Sequence, residues 1–150
     1  MKVLVAYDGS PIAESILSEV LRRPWPDGTE VRVLQVVERP LGETPRSGQD
    51  SYAPLLEFVR SSYRSEAQRA VESAVARIAA GSGLKCTGEV RDGDAKERIL
   101  HAIQEWDPDL VVVGRGGHSS LRRPFLGSVA AALVTLAPCS VEVVRTAAVA

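Results

Sequence analysis

Short aliphatic runs alternate with longer amphipathic segments along most of the chain. The runs predict five strands, at residues 2–7, 30–37, 85–91, 110–113 and 141–144. Between them, apolar positions recur at helical spacing and predict helices at residues 11–22, from 56 to about 80, from 95 to near 106, and from 128 to just before Pro138. Strict alternation of strands and helices predicts an α/β fold with a parallel sheet and right-handed crossovers.

The second helix is the longest, and it follows the least regular part of the sequence. One apolar stripe defines it, formed by Leu56, Val59, Tyr63, Ala67, Ala70, Val71, Ala74, Val75 and Ile78. The segment before it, residues 38–54, is rich in Pro, Gly, Ser and Thr and is predicted to be a loop. A loop of that length in a compact domain is typically functional or mobile.

Local signals set the ends of two further helices. Ser10 is a good N-cap residue, and Pro11 suits the first helical position, which needs no N–H donor. Asp94, followed three residues later by glutamate, resembles a capping box at the start of the third helix. That helix should end near Trp106, because Pro108 disfavours helical geometry at the residue before it.

Length and charge limit the classes of function. The chain has 150 residues, and we expect one domain over residues 1–146 with a frayed tail at 147–150. Eighteen basic and nineteen acidic residues leave a net charge of −1, which gives no reason to expect binding to nucleic acid or membrane. The sequence shows no signal peptide and no run of transmembrane length, so we expect a cytoplasmic protein.

The most informative segment is VVVGRGGHSSLRRPFLGSVAAALV, at the end of the fourth strand and the start of the last helix. Gly114 and Gly117 are followed by Gly127 and Ser128. Glycines let backbone approach a ligand closely and permit positive φ, and the first N–H groups of a helix favour phosphate. Arg115, His118, Arg122 and Arg123 add donors, although a solvated loop face explains the last two arginines as well. By spacing alone, ordinary turn chemistry explains these glycines equally well.

These glycines match G-x2-G-x9-G-[ST], which resembles the ATP-binding signature of universal stress proteins. VLVAYDGS at the start and APCSVEVVR near the end resemble the family's opening and closing strands. The resemblance implies a three-layer, Rossmann-like sandwich, similar to the adenine nucleotide alpha hydrolases, with a five-stranded parallel sheet in the order 3-2-1-4-5. The loops after strands 1 and 4 would then face one crevice.

The resemblance also implies a set of ATP-binding residues. Adenine would be flanked by Ala6, Tyr7, Asp8 and Val37; ribose and phosphates would contact Gly114, Arg115, Gly116, Gly117 and His118; and Gly127, Ser128 and Val129 would hold the phosphates. Magnesium would sit on the phosphates, without an assigned protein ligand, because no carboxylate cluster supplies one. Asp8 could instead only cap the first helix.

We expect an ATP-binding sensor or switch in stress response. Two alternatives remain: a hydrolase or transferase acting on adenine nucleotides, for which no catalytic residue can be assigned, and an interaction module with incidental nucleotide binding. The family commonly dimerises through its last strand, which implies a homodimer through residues 141–144. The implied order also puts Cys86 and Cys139 at opposite sheet edges, roughly 19 Å apart, beyond disulfide reach.

Overall fold

The chain folds into one parallel sheet between two layers of helices. The computed structural model describes residues 1–38, 53–116 and 126–145. Its elements are β1 Lys2–Ala6, α1 Pro11–Arg22, β2 Glu30–Val37, α2 Ala53–Ser82, β3 Lys85–Asp92, α3 Ala95–Trp106, β4 Leu110–Gly114, α4 Ser128–Leu136 and β5 Ser140–Val144. The sheet order is β3-β2-β1-β4-β5 with all pairs parallel, which confirms the predicted fold and order. Predicted strand ends differ by one residue at most.

Both faces of the central strands are buried. Val3 and Val5 of β1 pack on the side of α1 and α2, and Leu4 packs on the side of α3 and α4. Strand β4 alternates in the same way, with Val112 on the first side and Val111 on the second. A strand covered on both faces must be apolar at every position, which explains the uninterrupted aliphatic runs in the sequence.

The predicted ends of α1 and α3 hold, with one change in the cap of α1. Asp94 caps α3 by accepting a hydrogen bond from the Glu97 N–H at 3.0 Å, and the helix ends at Trp106, where Asp107 turns to φ 50° before Pro108. Ser10 stands at the N-cap of α1 as predicted, but its hydroxyl makes no capping bond. The Ser10 side chain is instead buried.

Helix α2 corrects the prediction of one continuous apolar stripe. Its buried residues begin only at Ala67 and continue through Val71 and Ala74 to Ile78, whereas Leu56 and Tyr63 are exposed. The helix has 30 residues and spans roughly 45 Å, while eight-residue β3 spans roughly 26 Å, so the first turns extend beyond the sheet. The predicted 38–54 loop lies largely outside the described residues; positions 53 and 54 belong to α2.

The two cysteines occupy the outer strands of the sheet. Cys86 lies in β3, and Cys139 directly precedes β5, so they stand at opposite edges. Both are free thiols, and burial raises the pKa of Cys86 to about 11. The Cys86 thiol therefore stays protonated near neutral pH and is a poor nucleophile. None of the helices described is long and apolar enough to cross a bilayer.

Candidate functional site

A cavity of about 880 Å³ opens at the carboxyl ends of the strands. Strand order reverses between β1 and β4, and the loops after these two strands diverge to opposite layers, which leaves a crevice where ligands bind in open α/β sheets. The cavity brings together nine residues predicted from the sequence: Ala6, Tyr7, Asp8, Val37, Gly114, Gly116, Gly127, Ser128 and Val129.

The remaining three predicted residues are not among those lining the cavity, and two of them lie outside the described residues. Arg115 does not line the cavity; its main chain instead links two elements, donating from N to the Val144 carbonyl at 2.9 Å and accepting from the Gly127 N–H at 2.7 Å. Gly117 and His118 lie outside the described residues, as do Arg122 and Arg123. The ligand contacts predicted for Gly117 and His118 stay predictions, and the choice between donor and solvated loop face stays open for the two arginines.

Gly127 is where the loop after β4 touches the start of α4. A Cβ added there would stand 2.9 Å from the Gly116 Cα and 3.0 Å from the Arg115 carbonyl oxygen. Gly127 has φ −63°, so its role is close approach between backbones and not positive φ. The prediction of close approach therefore applies to the chain's own loop, which this contact holds against the helix N-terminus.

Gly114 has a similar steric role where the end of β4 meets α1. A Cβ on Gly114 would stand 3.0 Å from the Cγ2 of Ile12, in the first turn of α1. Because α1 packs directly over the end of β4, the loops after β1 and β4 come together around one space. The contact between Ile12 and Gly114 therefore forms part of the cavity lining.

Three helices begin at this cavity, and two of them have an acceptor from the chain itself. At α1, the Asp8 Oδ1 accepts from the Ser10 N–H at 2.9 Å. At α3, Asp94 accepts from the Glu97 N–H, and the Glu38 carboxylate accepts from the Ala95 N–H at 3.3 Å. At α4 the N-cap is Gly127, which supplies no side-chain acceptor.

The start of α4 is therefore where an external anion is most favoured. The first N–H groups of a helix have no acceptor within it, and the helix dipole adds positive potential there. Carboxylates of the chain reduce that potential at α1 and α3. Ser128 at the start of α4 is exposed, so a ligand can reach this helix end from the cavity.

Tyr7 and Asp8 both line the cavity, but Tyr7 is buried in the core and Asp8 is exposed. The Tyr7 side chain belongs to the hydrophobic core, and burial raises the pKa of its phenol, with a further increase from the charge of Glu14. Asp8 is exposed and bonds the main chain of Ser10, so the predicted capping role is present in the free protein.

Sequence reasoning missed the lining residues of α2 and α3, and those at the end of β2 other than Val37. They include Gln35, Glu38, Tyr63, Glu66, Ala95 and Ile99. Gln35 carried a usable signal, because it interrupts the apolar run VRVLQVV near the carboxyl end of a strand. The described residues contain no group of three or more His, Cys, Asp or Glu side chains placed to hold a metal.

Comparison with known proteins gives one consistent family. The profile of the "Universal stress protein family" matches residues 1–145. Universal stress protein Sll1388 of Synechocystis is 27% identical over 150 residues, covering 96% of this chain and 97% of that protein.

Solved structures agree. UspA of Lactobacillus plantarum superposes with a TM-score of 0.80 at 26% identity, covering 97% of each chain. A universal stress protein family protein of Arabidopsis thaliana, solved with AMP bound, superposes with a TM-score of 0.70 at 21% identity, covering 99% of this chain and 93% of that one. With the match extending over nearly the whole sequence, this chain belongs to the universal stress protein family.

Proposed function

We propose that the chain binds ATP in this cavity and acts as a nucleotide-dependent sensor or switch in stress response. The observation that carries the proposal is the start of α4, which has no side-chain acceptor among the described residues and faces the cavity at the strand-order reversal. The amides of Ser128 and Val129 would hold the phosphates. Adenine nucleotide in the Arabidopsis relative supports the same ligand class here.

The remaining walls suit a nucleoside. Apolar side chains line the cavity on both faces of the sheet, among them Ile12, Ile16, Leu34 and Val36. They can contact the faces of a purine ring, while Asp8, an exposed lining residue, would bond its polar edge or the ribose. Magnesium would be held by the phosphates and water, which agrees with its preference for few protein ligands.

Calorimetry with magnesium and ATP, adenosine or tripolyphosphate tests this proposal. ATP should bind with a dissociation constant below about 1 mM, and more tightly than either fragment, because it alone fills both parts of the cavity. No detectable binding of ATP at millimolar concentration would contradict the proposal. Binding of tripolyphosphate as tight as ATP would show a phosphate site without a nucleoside site.

We also propose that two copies associate through β5. Among the described residues β5 pairs only with β4, so its other edge has unpaired backbone groups. Val134 and Leu136, on the preceding helix, are 55% and 63% exposed. Apolar surface next to an open strand edge favours a symmetric contact with a second copy.

Val143→Pro tests this dimer at the strand edge itself. The Val144 carbonyl bonds Arg115 on the β4 side, so alternation directs the Val143 N–H to the open edge. Proline there removes a donor that β4 does not use, and edge positions tolerate it. Light scattering at micromolar concentration should find wild-type dimer and at least about tenfold weaker association of the variant. A wild-type monomer would refute the dimer.

A further inference from the structure

The cavity extends from α4 across the ends of the strands towards α2. Its lining includes the start of α4, the ends of β4, β1 and β2, and one side of α2. None of the described residues of β5 lines it. A ligand whose phosphates lie at α4 therefore extends the rest of its length away from β5, over the end of β1 towards β2 and α2.

Two carboxylates line the end of the cavity next to α2. Glu38 directly follows β2, Glu66 lies on α2, and both side chains are exposed. The described lining residues include no Lys, Arg or His that would offset these two charges. Because negative charges repel phosphates, this end of the cavity favours the uncharged part of a nucleotide.

Tyr63 is the aromatic side chain at this end of the cavity. It lies in the part of α2 that extends beyond the sheet, four residues before Ala67 and seven before Ala70, so the three share one face of the helix. All three line the cavity, and Tyr63 is 55% exposed. Phe58, on the same extension, is 69% exposed but does not line the cavity. Exposed aromatic rings are thus common to the extension, whereas contact with the cavity distinguishes Tyr63.

We propose that Tyr63 stacks on the base of the bound nucleotide and holds it at the α2 end of the cavity, with the phosphates at α4. The inference rests on the proposed nucleotide binding. Stacking between a base and an aromatic side chain uses the π faces of the two rings, so it does not depend on which hydrogen-bond donors and acceptors the base carries. Tyr63 therefore sets the orientation and affinity of the nucleoside without selecting one base over another.

The position and chemistry of Tyr63 keep the cost of this contact low. Arg64, the next residue, forms an ion pair with Asp92, the last residue of β3, which links the extension of α2 to the sheet. A tyrosine side chain has only two torsions to the ring plane, so stacking removes little conformational freedom. The exposed ring also gains from being covered by a flat ligand.

Calorimetry with magnesium on Tyr63→Ala tests the inference. Loss of the ring should weaken the binding of ATP and of adenosine by at least about fivefold, and should change the affinity for tripolyphosphate by less than about twofold. Tyr63→Phe, which keeps the ring, should bind ATP within about twofold of wild type. Phe58→Ala is the matched control, because it removes an exposed ring from the same extension outside the cavity; it should change ATP affinity by less than about twofold.

Tryptophan fluorescence provides a second readout of the same contact. Tyr63→Trp places an indole where the base would stack, and Phe58→Trp places one on the same extension outside the cavity. The native Trp25 and Trp106 do not line the cavity. ATP should quench the emission that Tyr63→Trp adds and leave the emission that Phe58→Trp adds unchanged.

Wild-type ATP affinity in Tyr63→Ala would overturn the inference and leave the proposed function intact. Equal losses in Tyr63→Ala and Phe58→Ala would also overturn it, because the effect would then come from the helix and not from a ring in the cavity. If wild type binds no ATP, the proposed function fails, and this inference fails with it. Both alanine changes are at exposed helix positions, so neither should lower the melting temperature by more than about 2 °C.

Discussion

Ser128→Asp should weaken ATP binding by at least about a hundredfold, or about 2.7 kcal/mol, while leaving the fold slightly more stable. Ser128 is the first residue of α4 and is exposed at the cavity, so its replacement creates no steric conflict. An aspartate there places a negative charge where the phosphates would bind. Two like charges about 4 Å apart repel by several kcal/mol in partly screened surroundings. The same charge interacts favourably with the helix dipole, which raises the free energy of unfolding by a few tenths of a kcal/mol.

Ser128→Asn is the matched control, because it has the shape of aspartate without the charge. It should change ATP affinity by less than about tenfold, and neither variant should alter adenosine affinity more than about twofold. Calorimetry measures both affinities. Thermal melting checks that Ser128→Asp slightly raises stability while it weakens ATP binding. Equal ATP affinity of the Asp and Asn variants would place the phosphates away from α4.

Gly88→Val should lower the free energy of unfolding by about 3 kcal/mol, the upper end of the cost of overpacking a core. Gly88 lies in β3 beneath α2, and a Cβ there would stand 2.4 Å from the Cγ1 of Val71 and 3.1 Å from the Cγ2 of Val75. Val71 is fully buried and cannot turn away. For a domain of this size the melting temperature should fall by roughly 6–12 °C.

Thr87→Val provides the comparison for this prediction, because it introduces the same side chain one residue earlier in the strand, where the Thr87 side chain is exposed. It should change stability by no more than about 0.5 kcal/mol. The double variant with Val71→Ala and Gly88→Val should lose less free energy of unfolding than the two single variants lose together. The difference should be at least about 1 kcal/mol. Denaturant unfolding measures wild type, the three single variants and the double variant. Additive effects would mean that Gly88 and Val71 do not compete for one space.

The sheet could be predicted almost to the residue because its signal is local. Strands β1 and β4 must be apolar at every position when both faces are covered, and that run is visible without knowledge of the neighbours. The sequence of helix α3 carries its own start signal in Asp94 and its own stop signal in Pro108. The order of the strands came from the family resemblance, since local patterns do not state which strands pair.

Helix α2 shows where local patterns fail. Leu56 and Tyr63 continue the helical spacing of the buried residues, so the sequence makes them look like core. They are exposed because the helix is longer than the strands that it covers. Periodicity reports which residues share a face of a helix, but not how far the opposing surface extends.

The candidate site was likewise predictable from the sequence only in part. The glycine spacing identified the backbone at Gly114 and Gly127, but only the structure shows that Gly127 is needed for contact with Gly116. Arg115, predicted to contact ligand, is absent from the cavity lining, and its main chain joins β5 to the start of α4. Whether a residue faces ligand or its own chain depends on the path of neighbouring segments, which spacing does not record.

The sequence by itself determined the elements, their alternation and the position of the glycine-containing turn, because propensity, capping and periodicity act over a few neighbouring residues. Only the tertiary structure decided which of three helix ends at the cavity has no side-chain acceptor within the described part of the chain, since Glu38 reaches α3 from the end of β2. It also decided that Ser10 and Gln35 share one cavity with unpaired oxygens. These features arise from contacts between segments distant in sequence, where no local rule applies.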